Sequence, residues 1–260
     1  MTWLDVISYF SLYDAAALVG LFAGWVWINW QIESPKPSRP SVSRLMNGYR
    51  REWMRQMVTR EPRIFDSQVV SMMRQGTAFF ASATMIAIGG GLALIGNLTL
   101  LQDVASDLSL GGAPKIFWEI KLVLLLICLA NAFLKFVWSH RLFGYCAILM
   151  AAVPNDPEDP KAYPRADQAA EVSITAARSF NKAMRATYFS LAAAAWLLGP
   201  LPLAVAVIAT TLMLVYPPGI GTVLPGERLD ERAKPMLDYF KMFEAAANLF
   251  PGFEAEIQGV

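Results

Sequence analysis

Four stretches of this 260-residue chain are long and apolar enough to cross about 30 Å of hydrocarbon, which takes about 20 helical residues: residues 12–30, 76–101, 116–137 and 187–216. They define an all-α, polytopic helical membrane protein with four transmembrane helices. Composition agrees, since 55% hydrophobic and 17% charged residues exceed the apolarity of an ordinary soluble domain. A formal net charge of +1 supplies no global field for nucleic acid or an acidic substrate. One histidine and two cysteines in the whole chain argue against disulfide scaffolds, zinc sites and bis-histidine haem, so no metal or cofactor is expected.

The first segment has no Lys or Arg ahead of it and carries Asp5 and Asp14. It therefore lacks the basic leader of a cleaved signal and reads as a retained helix closed by interfacial Trp25, Trp27 and Trp30. Residues 31–75 hold nine Lys and Arg and residues 140–186 hold six, against Lys115 in the second loop and four beyond the last span. Fifteen against five places the first and third loops in the cytoplasm and both termini outside. The expected location is a bacterial inner (plasma) membrane. Residues 1–225 form the membrane domain and residues 226–260 an outer-face amphipathic tail built on Met236, Tyr239, Phe240, Phe243, Ala247 and Phe250.

After a Pro/Ser spacer at residues 34–40, residues 41–59 project as a cytoplasmic amphipathic helix. Val42, Leu45, Met46, Tyr49, Trp53 and Met57 share one arc, with Arg44, Arg51 and Arg55 opposite. Those arginines either meet anionic lipid headgroups or form a solvated face. The second span is rich in small residues, among them Ser82, Ala87, Gly89, Gly91 and Gly96, which permit a close helix crossing within the monomer or at an oligomer axis. Gly89, Gly90 and Gly91 together also loosen that helix.

The third span carries Asn131, Lys135, Ser139, His140 and Arg141, a candidate polar face for a pore. The plainer alternatives are a snorkelling Lys135 and interfacial anchoring by His140 and Arg141. Cys128 and Cys146 lie eighteen positions apart on that helix, about 27 Å at 1.5 Å per residue, so they cannot bond to each other. Apolar character continues past the boundary to Val153, and residues 167–185 are helix-prone; the third and fourth helices are thus expected to extend into the cytoplasm. Between them the prolines and carboxylates of residues 154–164 make a rigid acidic turn, read as a solvated connection in preference to a cation site. Pro200 and Pro202 are expected to kink the fourth span.

The chain resembles the bacterial and plant membrane proteins of domain-of-unknown-function family 599. The likeness rests on Arg51-Glu52-Trp53 with Arg63-Ile64-Phe65-Asp66, on Phe79-Phe80-Ala81-Ser82 leading to Gly89-Gly90, on residues 136–141, and on residues 181–196 with Arg185-Ala186-Thr187-Tyr188-Phe189. It covers residues 10–225 and implies a multi-span membrane protein, supplying no catalytic residue or substrate.

The preferred function is an oligomeric channel or transporter for a small ion, with Lys135, Asn131 and Arg141 meeting the permeant species, because an intramembrane Lys and kink-forming prolines are costly. The alternative is an accessory or scaffolding subunit of a membrane complex, or a lipid-binding membrane protein. An enzyme is disfavoured because Asp66, His140 and the acidic turn share no catalytic spacing. The partners expected are the bilayer, anionic lipids, and either another copy or another membrane protein, with no nucleic acid.

Overall fold

The computed structural model describes residues 9–33, 41–99, 102 and 114–215; the amphipathic tail expected at residues 226–260 lies outside them. All regular structure among the described residues is helical: α1 Leu12–Glu33, α2 Val42–Val58, α3 Ile64–Gly96, α4 Lys115–Ala151, α5 Ala162–Ala194, a 3-10 turn at Ala195–Leu198, and α6 Pro200–Val215. Three of them, α1, α3 and α4, are long and apolar enough to cross a membrane.

Ser11 opens α1 through a reciprocal cap: its hydroxyl accepts from the Asp14 amide at 3.2 Å, while Asp14 Oδ2 accepts from the Ser11 amide at 3.0 Å. The helix α3 begins at Ile64, well before the apolar span expected from residue 76, because the polar turn at residues 67–75 is helical too. It continues unbroken through Gly89, Gly90 and Gly91. The 37 residues of α4 and the 33 of α5 span about 55 and 50 Å at 1.5 Å per residue, both longer than a bilayer core.

Direction follows from which residues meet. The pairs Gly91 with Leu126, Phe80 with Phe136 and Arg74 with His140 run α3 against α4. Phe136 with Phe180, Ser139 with Ala176 and Cys146 with Ala169 run α4 against α5. Asp14 with Trp196, Trp25 with Phe189 and Asn29 with Arg185 run α1 against α5. Ala17 and Gly20 share a cavity with Pro200 and Ala204, and Gly24 abuts Val207 and Thr211, so α1 and α6 run parallel. It follows that α6 folds back along α5.

Residues 187–216 are therefore not the single kinked helix expected. The chain breaks at Gly199, whose φ of +120° lies where a side chain is strained, and Pro200 starts α6, where a missing N–H is harmless. Apolar side chains fill the bundle in a chain of clusters. At one end Met54, Met57, Val70, Cys146 and Met150 pack with Ala162, Ala166, Ala169 and Ala170. At the other, Leu21 and Ile28 pack with Phe189, Trp196, Leu203 and Val207.

Candidate functional site

The polar chemistry of the described residues collects at the end of the bundle where α1 finishes and α2 crosses α5. On α2 the inward face keeps Trp53 and Met57 from the expected arc but not its N-terminal members Leu45 and Tyr49. Leu45 and Tyr49 are 41% and 61% exposed, while Met54, Met57 and Val58 are buried. Arg50 turns inward, donating from Nη1 to Ser173 Oγ at 2.9 Å, because a buried hydroxyl on α5 satisfies it. Burial holds its pKa below the ordinary value.

Two latches fix α2 in place. Trp53 Nε1 donates to Asp66 Oδ1 at 2.7 Å, and Arg60 pairs with the same carboxylate. Asp66 is 0% exposed. Arg63 donates to the carbonyls of Val153 and Pro154, each at 2.7 Å, and to Val58 O at 3.1 Å, satisfying acceptors just past the end of α4 and at the last residue of α2. The second latch is electrostatic. Arg51 meets Glu171 at 2.7 Å, and Arg55 meets Asp167 through two bonds of 2.9 and 3.1 Å. The Arg55 bond holds the Asp167 carboxyl below its usual pKa and raises that of Arg55.

Beyond this clasp α2 and α5 open into a cavity of about 750 Å³. Its walls carry Arg44, Asn47 and Arg51 from α2 and Arg178, Asn181 and Arg185 from α5. Each set has spacing i, i+3, i+7, which places three side chains on one helix face. Arg185 is 5% exposed and is oriented by Asn29 Oδ1 and Glu33 Oε1, both at 2.9 Å; Lys182 reaches the other Glu33 oxygen at 3.2 Å. Asn181 Nδ2 donates to Ser43 Oγ at 3.0 Å, bridging the walls. A second cavity of about 750 Å³ adjoins across Glu33, walled by Phe22, Trp25, Val26 and Trp30 with Lys135 and Lys182.

The residues nominated for a pore do not converge. Lys135 lies 5.6 Å from the Trp25 ring centre in the second cavity. Ser139 is buried and donates to Ala176 O on α5 at 2.8 Å. His140 Nδ1 lies 3.4 Å from Arg74 O on α3, and Arg141 turns outward to Tyr145 Oη at 3.0 Å. Asn131 is half-buried on α4. Of the glycines on α3, Gly91 alone meets a neighbour, with a Cβ there falling 2.6 Å from Leu126 Cδ2; Gly89 and Gly96 face open space, and Ser82 and Ala87 are exposed. Of the three arginines assigned to headgroups, Arg51 and Arg55 are held by carboxylates of α5, and Arg44 lines the cleft.

Sequence reasoning missed a second polar centre at the opposite end. Asp14 Oδ1 accepts from Trp196 Nε1 at 2.7 Å, and Lys121 Nζ donates to Trp196 O at 2.8 Å. The ammonium lies 4.2 Å from the Phe117 ring centre and 5.4 and 5.3 Å from those of Trp118 and Trp196, a cation–π cage. Asp14 and Lys121 are 5% and 4% exposed. Opposite charges in two apolar segments were the signal available. Among the described residues no group of three His, Cys, Asp or Glu could hold a metal ion; Asp156 and Asp159 accept instead from the amides of Glu158 and Lys161.

Comparison with known proteins adds little about activity. No solved structure matches the chain. It is 38% identical over 53 residues to lysine decarboxylase LdcA of Pseudomonas aeruginosa and 47% identical over 53 residues to an inducible ornithine decarboxylase of a Lactobacillus species. A biodegradative arginine decarboxylase of Escherichia coli is 36% identical over 52 residues. The chain spans 7% of the length of each of these enzymes, and 20% of the chain is matched; so short a segment transfers no activity. The family described as "Protein of unknown function, DUF599" matches residues 16–217, most of the helical bundle, and the chain belongs to that family.

Proposed function

We propose that the chain is an integral membrane protein crossing the bilayer five times, and that it serves as an accessory or lipid-binding component at the inner leaflet with no catalytic step of its own. The fifth crossing is α6, which returns antiparallel to α5. This puts Val215, the end of α6, on the same side as the first loop, not outside. The basic residues support that arrangement: nineteen Lys and Arg then lie on the inner side, where fifteen did before, and Lys115 alone lies on the outer. The lower part of α4 and the first half of α5 extend beyond the bilayer on the inner side, with α2 packed across them.

The observation that carries a binding role is the placement of the polar side chains. The level between the two polar ends is closed by rings: Phe80 and Phe136 stack at 5.6 Å, Phe180 packs on both at 5.8 and 5.6 Å, and Trp25 stacks on Phe189 at 6.0 Å. A path through the protomer would need polar groups along its length, whereas here they gather at the two ends and the open cleft lies at one of them. One observation favours the channel reading, in which the path lies between copies: the exposed small residues Ser82, Ala87, Gly89 and Gly96 on α3. Ion flux into liposomes decides between them. The accessory reading expects wild-type protein to pass potassium, chloride and phosphate no faster than empty vesicles; flux that Lys135→Met abolishes would overturn it.

A further inference from the structure

The cleft between α2 and α5 holds more positive charge than its protein partners neutralise. Four arginines, Arg44, Arg51, Arg178 and Arg185, line it against one carboxylate, Glu33. Arg51 is satisfied by Glu171, and Arg185 shares Glu33 with Lys182. Arg44 and Arg178 have no ion pair among the described residues and stand exposed on facing helices. Like charges held together by rigid helices repel unless an anion sits between them. Guanidinium groups lining one cleft from two helices suit the oxygens of a phosphate, to which arginine donates in pairs.

The position of the cleft favours a lipid as the source of that phosphate. It opens at the end of α1, whose last two turns carry Trp27 and Trp30, 45% and 61% exposed. Exposed tryptophans of this kind sit at the headgroup level of a bilayer. The adjoining cavity beyond Glu33 is walled by Phe22, Trp25, Val26 and Trp30, with Lys135 and Lys182 at its polar edge. An anionic group in the cleft therefore has an apolar trough beside it of the kind an acyl chain fills.

We infer that this cleft is a binding site for a phosphate-bearing anion, with Arg44 and Arg178 as the gripping pair, Arg185 as the fixed charge at its floor, and Asn181 holding the two walls together. The inference rests on the binding role proposed above and names its ligand class. Arg51 and Arg55, the arginines opposite the apolar arc in the sequence, are spent on holding α2 to α5.

The test is equilibrium binding to the full chain in non-ionic detergent, followed by tryptophan fluorescence. The probes are short-chain phosphatidylglycerol, short-chain phosphatidylcholine and inorganic phosphate. Phosphatidylglycerol should bind saturably, at least about tenfold tighter than phosphatidylcholine. The double variant Arg44→Gln with Arg178→Gln should lose about 10- to 100-fold in that affinity, as expected for two charge-assisted contacts, with its melting temperature unchanged because neither residue supports the fold. Phosphate that displaces phosphatidylglycerol at comparable concentration identifies a soluble phosphate compound as the ligand; phosphate that fails to displace it identifies the lipid. Either result supports the site. Equal affinity for the two lipids, or undiminished phosphatidylglycerol binding by the folded double variant, overturns it. Ion flux by wild-type protein with this binding pattern intact would sink the accessory reading and leave the site standing.

Discussion

Asp14, Lys121 and Trp196 form a buried polar knot that ties α1 and α4 to the 3-10 turn between α5 and α6 at one end. The aspartate and lysine do not touch directly; the tryptophan bridges them, its ring N–H to one and its carbonyl to the other. Two nearly buried opposite charges stabilise little in total, since desolvation offsets their attraction, but removing one partner strands the other. Asp14→Leu should therefore cost about 3 kcal/mol or more of unfolding free energy, and Lys121→Met a similar amount. The double variant should lose clearly less than the sum. Denaturation in detergent measures all three, and strictly additive losses would refute the coupling. At the other end, of three residues that mark the family likeness, Trp53 and Asp66 join α2 to α3 while Arg63 ties the α2–α3 turn to the α4–α5 turn. Their role here is architectural, which explains why they are recognisable while revealing no chemistry.

At the scale of elements, side chains of α5 and α6 pack onto α1 at Gly24. A Cβ there would lie 3.3 Å from Thr211 Oγ1 and 3.6 Å from both Phe189 and Val207, so three helices meet where this residue has no side chain. Gly24→Leu should overpack the crossing and cost about 1–3 kcal/mol, seen as a lowered melting temperature, while Gly20→Leu, in open space, should leave it near that of the wild type. The hairpin of α5 and α6 was legible only in part. Gly199 followed by Pro200 is the punctuation of one helix ending and another starting, yet the unbroken apolarity of residues 187–216 reads more readily as one span with a kink. The start of α3 was hidden for the opposite reason, polar residues at a helix start that lies outside the apolar window. The face of α2 was legible at its C-terminal end, where Trp53 and Met57 pack inward, and not at its start, where Leu45 and Tyr49 face outward; Arg50 goes in because Ser173 receives it. The cleft was half visible: the arginines of α2 were evident, whereas their carboxylate partners and the facing Arg178 and Arg185 lie more than a hundred positions away, a pairing that periodicity does not contain.

Over the whole molecule, the two polar centres sit at opposite ends of a bundle whose middle is aromatic and aliphatic. One end carries the Asp14 to Lys121 knot; the other carries the basic cleft and the latches. In the proposed arrangement that division sets the direction of the chain in the membrane, and α6 sets the parity of its crossings. The most direct measurement is therefore topological: a periplasmic-activity reporter and a cytoplasmic-fluorescence reporter fused in turn after residue 108, in the loop between α3 and α4, and at the C-terminal end of the chain. Five crossings predict that the residue-108 fusion is active only with the periplasmic reporter and the C-terminal fusion only with the cytoplasmic one. Periplasmic activity at both positions would mean that α5 and α6 cross as a single span, and would contradict the five-crossing bundle with its basic cleft on the inner face.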